Sequence, residues 1–91
     1  STLTRLRQMP ASDALALLAT HVKPDPTYLP LKDERSRRWH ASTARGEFEI
    51  LTTGVKWYDT RARAGGGGAI DLAMHLLDMS FVEAVKHLTA R

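Results

Sequence analysis

The chain of 91 residues contains no cysteine. Disulfides, thiol nucleophiles and cysteine-ligated zinc are therefore excluded together, and the composition suits a reducing compartment. No stretch approaches the roughly eighteen consecutive apolar residues that a membrane span needs, and no charged start followed by an apolar run and a small-residue cleavage site marks a secretory signal. These absences predict a soluble, cytoplasmic protein with no membrane partner. A chain of this size with 43% hydrophobic residues suits one compact domain with a small core. It has little room for a catalytic cleft, which usually sits between domains or at the mouth of a larger scaffold. Binding is expected rather than catalysis, with no enzymatic activity from this chain alone and no cofactor.

Charge of one sign is also scarce, since the formal net charge is only +3, so its distribution is the informative quantity. Residues 1–31 carry three basic and two acidic side chains, residues 32–64 eight and five, and residues 65–91 two and three. The central third holds the whole excess. It reads either as a polyanion-binding surface or as a solvated face of mixed sign.

Along the chain, residues 1–10 read as a leader and 11–22 as a first helix. In that helix Leu15, Leu18 and Val22 recur at helical spacing, Ser12 is a candidate N-cap, Asp13 suits the first turn, and Pro24 with Pro26 forbids continuation. Residues 28–61 read as a sheet. Tyr28 to Lys32 form a candidate extended segment and Asp33 to Arg38 a charged loop, after which Trp39, Phe48, Ile50, Val55 and Trp57 alternate with polar neighbours as a half-buried sheet requires. The best-marked hairpin pairs Glu47–Thr52 with Val55–Asp59 across Thr53 and Gly54. Four glycines, residues 65–68, form a turn into two helices over residues 69–90. The second of these opens on a capping box of Ser80 and Glu83. The fold class is α+β: an N-terminal helix, a three- to four-stranded antiparallel sheet, a glycine-rich turn and two C-terminal helices packed on one side.

Several features resemble sites without completing one. The glycine run precedes a helix, but Ala69 and Ile70 stand where a P-loop needs Lys and Ser or Thr. A structural turn and a contact to a nucleic-acid phosphate remain its two readings. His21, His40, His75 and His87 show no ligand-pair spacing, so no metal site is expected. Ser12, Ser36, Ser42 and Ser80 have loop or cap explanations, and no nucleophile stands beside a base. The aromatic and basic residues are more suggestive. If Trp57 points into the core with Val55, Lys56 and Tyr58 face outward together, offering a ring for a base and an ammonium for a phosphate. Arg61 and Arg63 extend that strip, and Arg35, Arg37 and Arg38 form a second, flexible basic patch. Against this, Glu47, Glu49 and Asp59 lie on the same hairpin and oppose polyanion binding wherever they share the face of Lys56.

The segment Ala64 to Leu88, AGGGGAIDLAMHLLDMSFVEAVKHL, resembles the C-terminal end of the zinc-binding domain of bacterial DNA primases. That family leads a glycine-rich turn into an aliphatic-Asp helix, here Ala69-Ile70-Asp71, and then into a Ser-Phe-x-Glu-Ala-Val helix, here Ser80 to Val85. Upstream, Tyr28 to Lys32 and Phe48 to Ile50 resemble its strands more loosely. All the family's zinc ligands are missing: Arg38 and Ala41 align with the first pair, Thr60 and Arg63 with the second. The chain is thus similar to metal-free relatives at the front of Toprim-containing primase-like proteins, often encoded on plasmids and other mobile elements. In such a chain Trp39, Phe48 and Trp57 must replace part of the zinc's stabilisation by burial, at roughly 25 cal/mol per Å2 of apolar area.

The resemblance implies a zinc-ribbon-like domain without zinc that binds single-stranded template DNA in priming and delivers it to a separate polymerase or helicase. The residues assigned to that contact are Lys56, Tyr58, Arg61 and Arg63, with Arg35, Arg37 and Arg38. The rival reading is a protein-interaction module that docks onto a polymerase or helicase without touching DNA.

Overall fold

A single antiparallel sheet lies under a layer of helices in the computed structural model, which describes residues 1–90. The elements are α1 (Thr2–Arg7), α2 (Ala11–Leu18), β1 (His21–Pro24), β2 (Arg37–Thr43), β3 (Gly46–Thr53), β4 (Lys56–Asp59), β5 (Ala64–Gly66), α3 (Ala69–Leu77) and α4 (Phe81–Thr89). The strands form a meander in sequence order, each antiparallel to the next. The molecule is therefore an α+β domain with five strands and four helices. Among its described residues no helix is long and apolar enough to cross a membrane.

Successive side chains of a strand point to opposite faces, and the register sorts them cleanly. Ala41 pairs with Phe48, Trp39 with Ile50, and Thr52 with Trp57 on the inner face. Helix α3 is the centre of the overlying layer. Its Leu72, Ala73 and Leu76 are fully buried among Ala14 and Leu15 of α2 and Ala84 of α4. The alanines at these contacts let helix backbones approach closely, which is how so short a chain packs a core between its helices.

Several boundaries differ from those read in the sequence. Residues 1–10 contain α1, capped by the Ser1 hydroxyl and anchored by buried Leu6; one turn and a half is too short to display a helical period. Helix α2 begins at Ala11 behind Pro10 rather than behind a Ser12 cap, and it stops at Leu18. Both the N–H and the hydroxyl of Thr20 bond to the Ser42 carbonyl, so the chain passes into β1 and His21 and Val22 are strand residues. Val22 sits at helical spacing from Leu18, but it serves equally well as an inward strand residue. Residues Tyr28 to Lys32 form no strand; Pro26 and Pro30 cannot donate to a ladder, and Leu29 and Leu31 point into solvent.

The hairpin turn is Gly54 and Val55, one residue later than expected, with Gly54 at φ +61°. Gly65 and Gly66 belong to β5 rather than to a turn, because they are packing residues. A Cβ on Gly66 would lie 2.8 Å from Nε1 of Trp57, so the buried indole claims the space above that strand. The last two helices match the expected pattern, separated by Asp78 in the left-handed region and started by the Ser80–Glu83 capping box.

Candidate nucleic-acid interface

The outer face of the sheet carries no helix, and none of its side chains is buried. Alternation along β4 sends Trp57 and Asp59 inward and Lys56 and Tyr58 outward, as the sequence pattern predicts. Trp57 is 6% exposed and its Nε1 donates to the Gly68 carbonyl at 3.2 Å. Tyr58 is 42% exposed. Its ring lies on Gly65, where a Cβ would come within 3.0 Å of Cδ1, so glycine in β5 supplies a flat seat for an open ring. Across the sheet Tyr58 pairs with Leu51, and Leu51 with Arg38.

The Gly54 end of β4 gathers a second group. Arg35 is held by Asp33 through a two-pronged pair, Nε to Oδ1 at 3.2 Å and Nη2 to Oδ2 at 2.9 Å. Those bonds, with one from the Arg35 backbone N–H, hold the Asp33 carboxyl down at about 2. The guanidinium lies over the turn, its Nη1 3.3 Å from where a Gly54 Cβ would stand. Ser36 and Thr53 share a hydroxyl–hydroxyl bond of 2.6 Å, which ties this loop to the end of β3. Between them and Tyr58 lies a depression of about 260 Å3, lined also by Leu51, Lys56 and Trp57.

At the opposite end of β4 the chain turns through Arg61 and Arg63, the latter in the left-handed region at φ +56°. The turn is built by Asp59, 2% exposed, whose Oδ1 accepts from the N–H groups of Arg61 and Ala62 and whose Oδ2 meets His75 Nε2 at 2.6 Å. Burial pushes the Asp59 carboxyl up, but the His75 bond and the two backbone donors outweigh it and hold the group below its ordinary value. His75 also packs against the Trp57 ring at 5.0 Å. A single carboxylate thereby fixes the turn that presents two arginines and ties it to α3.

The structure thus places Arg35 and Lys56 at one end of β4 and Arg61 and Arg63 in the turn beyond the other, with Tyr58 between them, whereas Arg37 and Arg38 lie in β2, two strands away. Arg37 lies in β2 in register with inward Thr52, and its Nη1 donates to the carbonyls of Glu34 and Ser36. Arg38 sits between two carboxylates, its Nε 2.8 Å from Asp25 and 3.4 Å from Glu49, and its guanidinium lies 5.2 Å from the Tyr28 ring centroid. The expected flexible basic patch is instead a set of bonded residues, two of them in a strand.

The acidic residues divide as well. Asp59 is on the inner side, away from the face of Lys56, whereas Glu47 and Glu49 do share that face. Glu49 is engaged by Arg38 and by the Thr60 hydroxyl at 2.7 Å, and Glu47 accepts from Ser42 at 2.7 Å. Among the described residues Lys56, Arg61 and Arg63 pair with no carboxylate within salt-bridge distance.

Asp25, His40 and Glu49 bring ligand atoms within 4.8 Å of one another, a convergence that sequence spacing does not reveal. Asp25 is held below the usual carboxylate range by the hydroxyl and N–H of Thr27, with His40 and Arg38 adding to it. The Arg38 guanidinium already supplies the cation there, so the cluster reads as an ion-pair network that fastens loop 25–28 to the sheet. Elsewhere, a groove of about 530 Å3 between α1 and α4 is lined largely by Leu6, Met9, Leu17 and Leu88 and carries no acid or nucleophile pair. At the start of α3 the open glycines Gly67 and Gly68 share their depression with Asp71 as well as Arg7, and the carboxylate opposes an anion. Ser36, Thr53 and Asp59 are the site residues that sequence reasoning missed. The only local signal was that Asp59 precedes a turn by the spacing of an Asx motif.

Comparison with known proteins adds one relative. Over 86 residues the chain is 33% identical to a 65 kDa protein of Zymomonas mobilis subsp. mobilis, an alignment that covers 94% of this chain and 13% of that protein. The chain thus spans about 13% of the length of the relative it matches. No family model matches the chain, and no solved structure does.

Proposed function

We propose that this domain binds single-stranded template DNA along β4 on the open face of the sheet, as a non-catalytic accessory in DNA priming or replication. The observation that carries the reading is the placement of Tyr58. An aromatic ring 42% exposed on an uncovered sheet, with Arg35 and Lys56 at one end of its strand and Arg61 and Arg63 at the other, is the arrangement single-stranded binding uses. The ring offers a π-face to any base, and the cations track the backbone on either side. Four residues at about 3.3 Å each make β4 roughly 13 Å long, a span that suits two or three nucleotides. Duplex DNA has no exposed base faces for Tyr58, so single strands are the preferred ligand.

The finer assignment is to a metal-free relative of the zinc-binding domain of bacterial primases, of the kind that precedes Toprim-containing proteins on plasmids and other mobile elements. The order of sheet, glycines, helix and capped second helix supports it, together with the 64–88 segment. In that role the domain hands its strand to a polymerase or helicase. Its match to a small part of a longer protein is in keeping with a module that works beside others.

A rival reading has its own observation. Leu29 and Leu31 are 77% and 94% exposed, and Phe81 and Val82 are 45% and 59% exposed, which suits a module that docks onto a protein. Fluorescence anisotropy of a labelled single-stranded oligonucleotide separates the two. Under our reading affinity falls with salt at a log–log slope of about −2, the value for roughly three phosphate contacts on a single strand. Changing Arg61 and Arg63 together to Glu abolishes that binding. Salt-independent binding, or none at low salt, overturns the reading in favour of protein docking.

A further inference from the structure

Two apolar features of the domain take no part in the interface along β4, and each carries an unmatched charge. The first is the projection between β1 and β2, on which Leu29 and Leu31 are 77% and 94% exposed, a placement that leaves their favourable burial unrealised. The projection is held at both shoulders. Asp25 accepts from the N–H and hydroxyl of Thr27 at 2.9 and 2.6 Å and from Arg38 Nε at 2.8 Å, while Asp33 accepts from the backbone N–H and the guanidinium of Arg35. Between the shoulders Pro26 and Pro30 fix φ, which restricts the shapes in which the leucines are presented and lowers the entropy lost when a partner takes them. The second feature is the groove of about 530 Å3 between α1 and α4, walled by Leu6, Met9, Leu17 and Leu88, with Arg5 as its one charged lining residue. Among the described residues, neither Arg5 nor the projection's Glu34 forms an ion pair within its own chain.

We propose that the domain self-associates by seating Leu29 and Leu31 of one copy in the groove between α1 and α4 of another. A second copy is the occupant because the two surfaces are complementary in charge as well as in apolar character. The groove is cationic through Arg5, and α1 adds Arg7 and no acid. The projection brings Glu34, three positions after Leu31, and Asp33 already neutralises its neighbour Arg35. Lys32, the projection's remaining cation, finds no acid in the groove and stays in water at its edge. A projection and a groove at different places on one molecule give a closed two-fold pair where both contacts form at once, and a head-to-tail chain where they do not. The inference is independent of the DNA reading, since Lys56, Tyr58, Arg61 and Arg63 take no part in it.

The test is sedimentation velocity over a range of concentrations reaching about 1 mM, where contacts of this small size are populated. The unaltered domain gains mass as concentration rises. Leu29→Asp with Leu31→Asp, both in solvent in the single copy, weakens association about ten-fold or more, the loss expected for one buried leucine. Leu17→Glu does the same from the groove side. Arg5→Glu and Glu34→Arg each weaken it by about two- to five-fold, and the two together recover it. The deciding arm mixes the projection variant, whose groove is intact, with the groove variant, whose projection is intact: the mixture associates more strongly than either variant alone. If thermal melting shows Leu17→Glu unfolded, Arg5→Glu takes its place in the mixture. A domain that stays monomeric at every concentration overturns the inference, as does association that survives the projection variant or a mixture that gains nothing. Each of these outcomes leaves the oligonucleotide anisotropy, and with it the DNA reading, unchanged.

Discussion

Trp57 and Tyr58 are adjacent in one strand and meet opposite fates. The indole is 6% exposed, under α3 and against Gly66, while the phenol ring is 42% exposed on Gly65. The two faces of the sheet differ in the same way. Inside, volume decides identity, and among the described residues no buried side-chain nitrogen or oxygen lacks a partner. Outside, the polar side chains satisfy one another laterally, as Asp25, Arg38, Glu49 and Thr60 do, and they leave the Tyr58 ring 42% exposed and, among the described residues, Lys56, Arg61 and Arg63 with no carboxylate within salt-bridge distance. Burial is therefore concentrated on one face, and the proposed binding residues lie on or beside the other. Substitutions on the two faces should separate into two phenotypes.

The largest effect belongs to the core. Leu72 is fully buried at the centre of the helical layer, and Leu72→Ala removes its contacts and leaves a cavity between α2 and α4. Unfolding in urea should show a loss of about 3 kcal/mol. In a small domain of marginal stability that is a large fraction of the total. A loss below about 1 kcal/mol would mean that the helices re-pack freely, and the sharp contrast between the faces would fail.

Asp59 links the faces, since it is buried inward and yet builds the turn that carries Arg61 and Arg63. Asp59→Ala leaves the His75 ring and two backbone N–H groups without their acceptor, a loss of about 3 kcal/mol on the scale of hydrogen bonds to a charged group. The effect has a pH signature. The folded pKa of Asp59 is below its ordinary 3.8, so its stabilisation is fully present above that value and is lost as pH falls through the lowered folded value. Melting temperatures measured from neutral to strongly acidic pH should therefore fall less steeply for the variant than for the unaltered protein. Part of the acid slope persists, because Asp25 and Asp33 are lowered too.

The sequence declared the two faces of β4, because alternation of apolar and polar residues is a local property with a fixed period. It declared α3 and α4 for the same reason, through helical spacing and a capping box. The pairing of Arg38 with Asp25 and Glu49, the Ser36–Thr53 bond and the Asp59–His75 bond were invisible. Each joins residues 11 or more positions apart, and only the register of the sheet brings them together. Strand β1 was hidden differently, since Val22 satisfies a helical and a strand pattern at once and the choice is made by Ser42. The glycines misled because four in a row read as a turn. The role of Gly65 and Gly66 is set by Tyr58 and Trp57, whose rings lie where a side chain on those residues would stand.

That role is open to a direct comparison inside the run. Gly66→Ala forces a methyl to within 2.8 Å of the buried indole, whereas a Cβ on Gly67 meets nothing within 4 Å and its backbone needs no left-handed conformation. The first substitution should cost about 2 kcal/mol by overpacking. The second should be neutral or stabilise by a few tenths of a kcal/mol, by restricting the unfolded chain. Thermal melts of the pair decide whether the glycines are there for packing or for flexibility. Equal losses would restore the turn reading.

Tyr58→Ala should change the fold little and, under the proposed reading, binding most clearly. The ring rests on Gly65 and is 42% exposed, so its removal should cost below about 1 kcal/mol in urea unfolding. Removing a stacking aromatic costs a single-strand binder about 1–3 kcal/mol, a loss of roughly five- to hundred-fold in affinity. Tyr58→Phe keeps the ring and should retain most of the affinity, which assigns the loss to the π-face rather than the hydroxyl. A Tyr58→Ala variant that is destabilised as strongly as Leu72→Ala would place the ring in the core. One that is stable and binds DNA unchanged would move the interface elsewhere on the sheet, toward His21, Lys23 and His40, which are exposed on the outer face. Stability retained with affinity lost is the outcome that follows from two faces with separate functions.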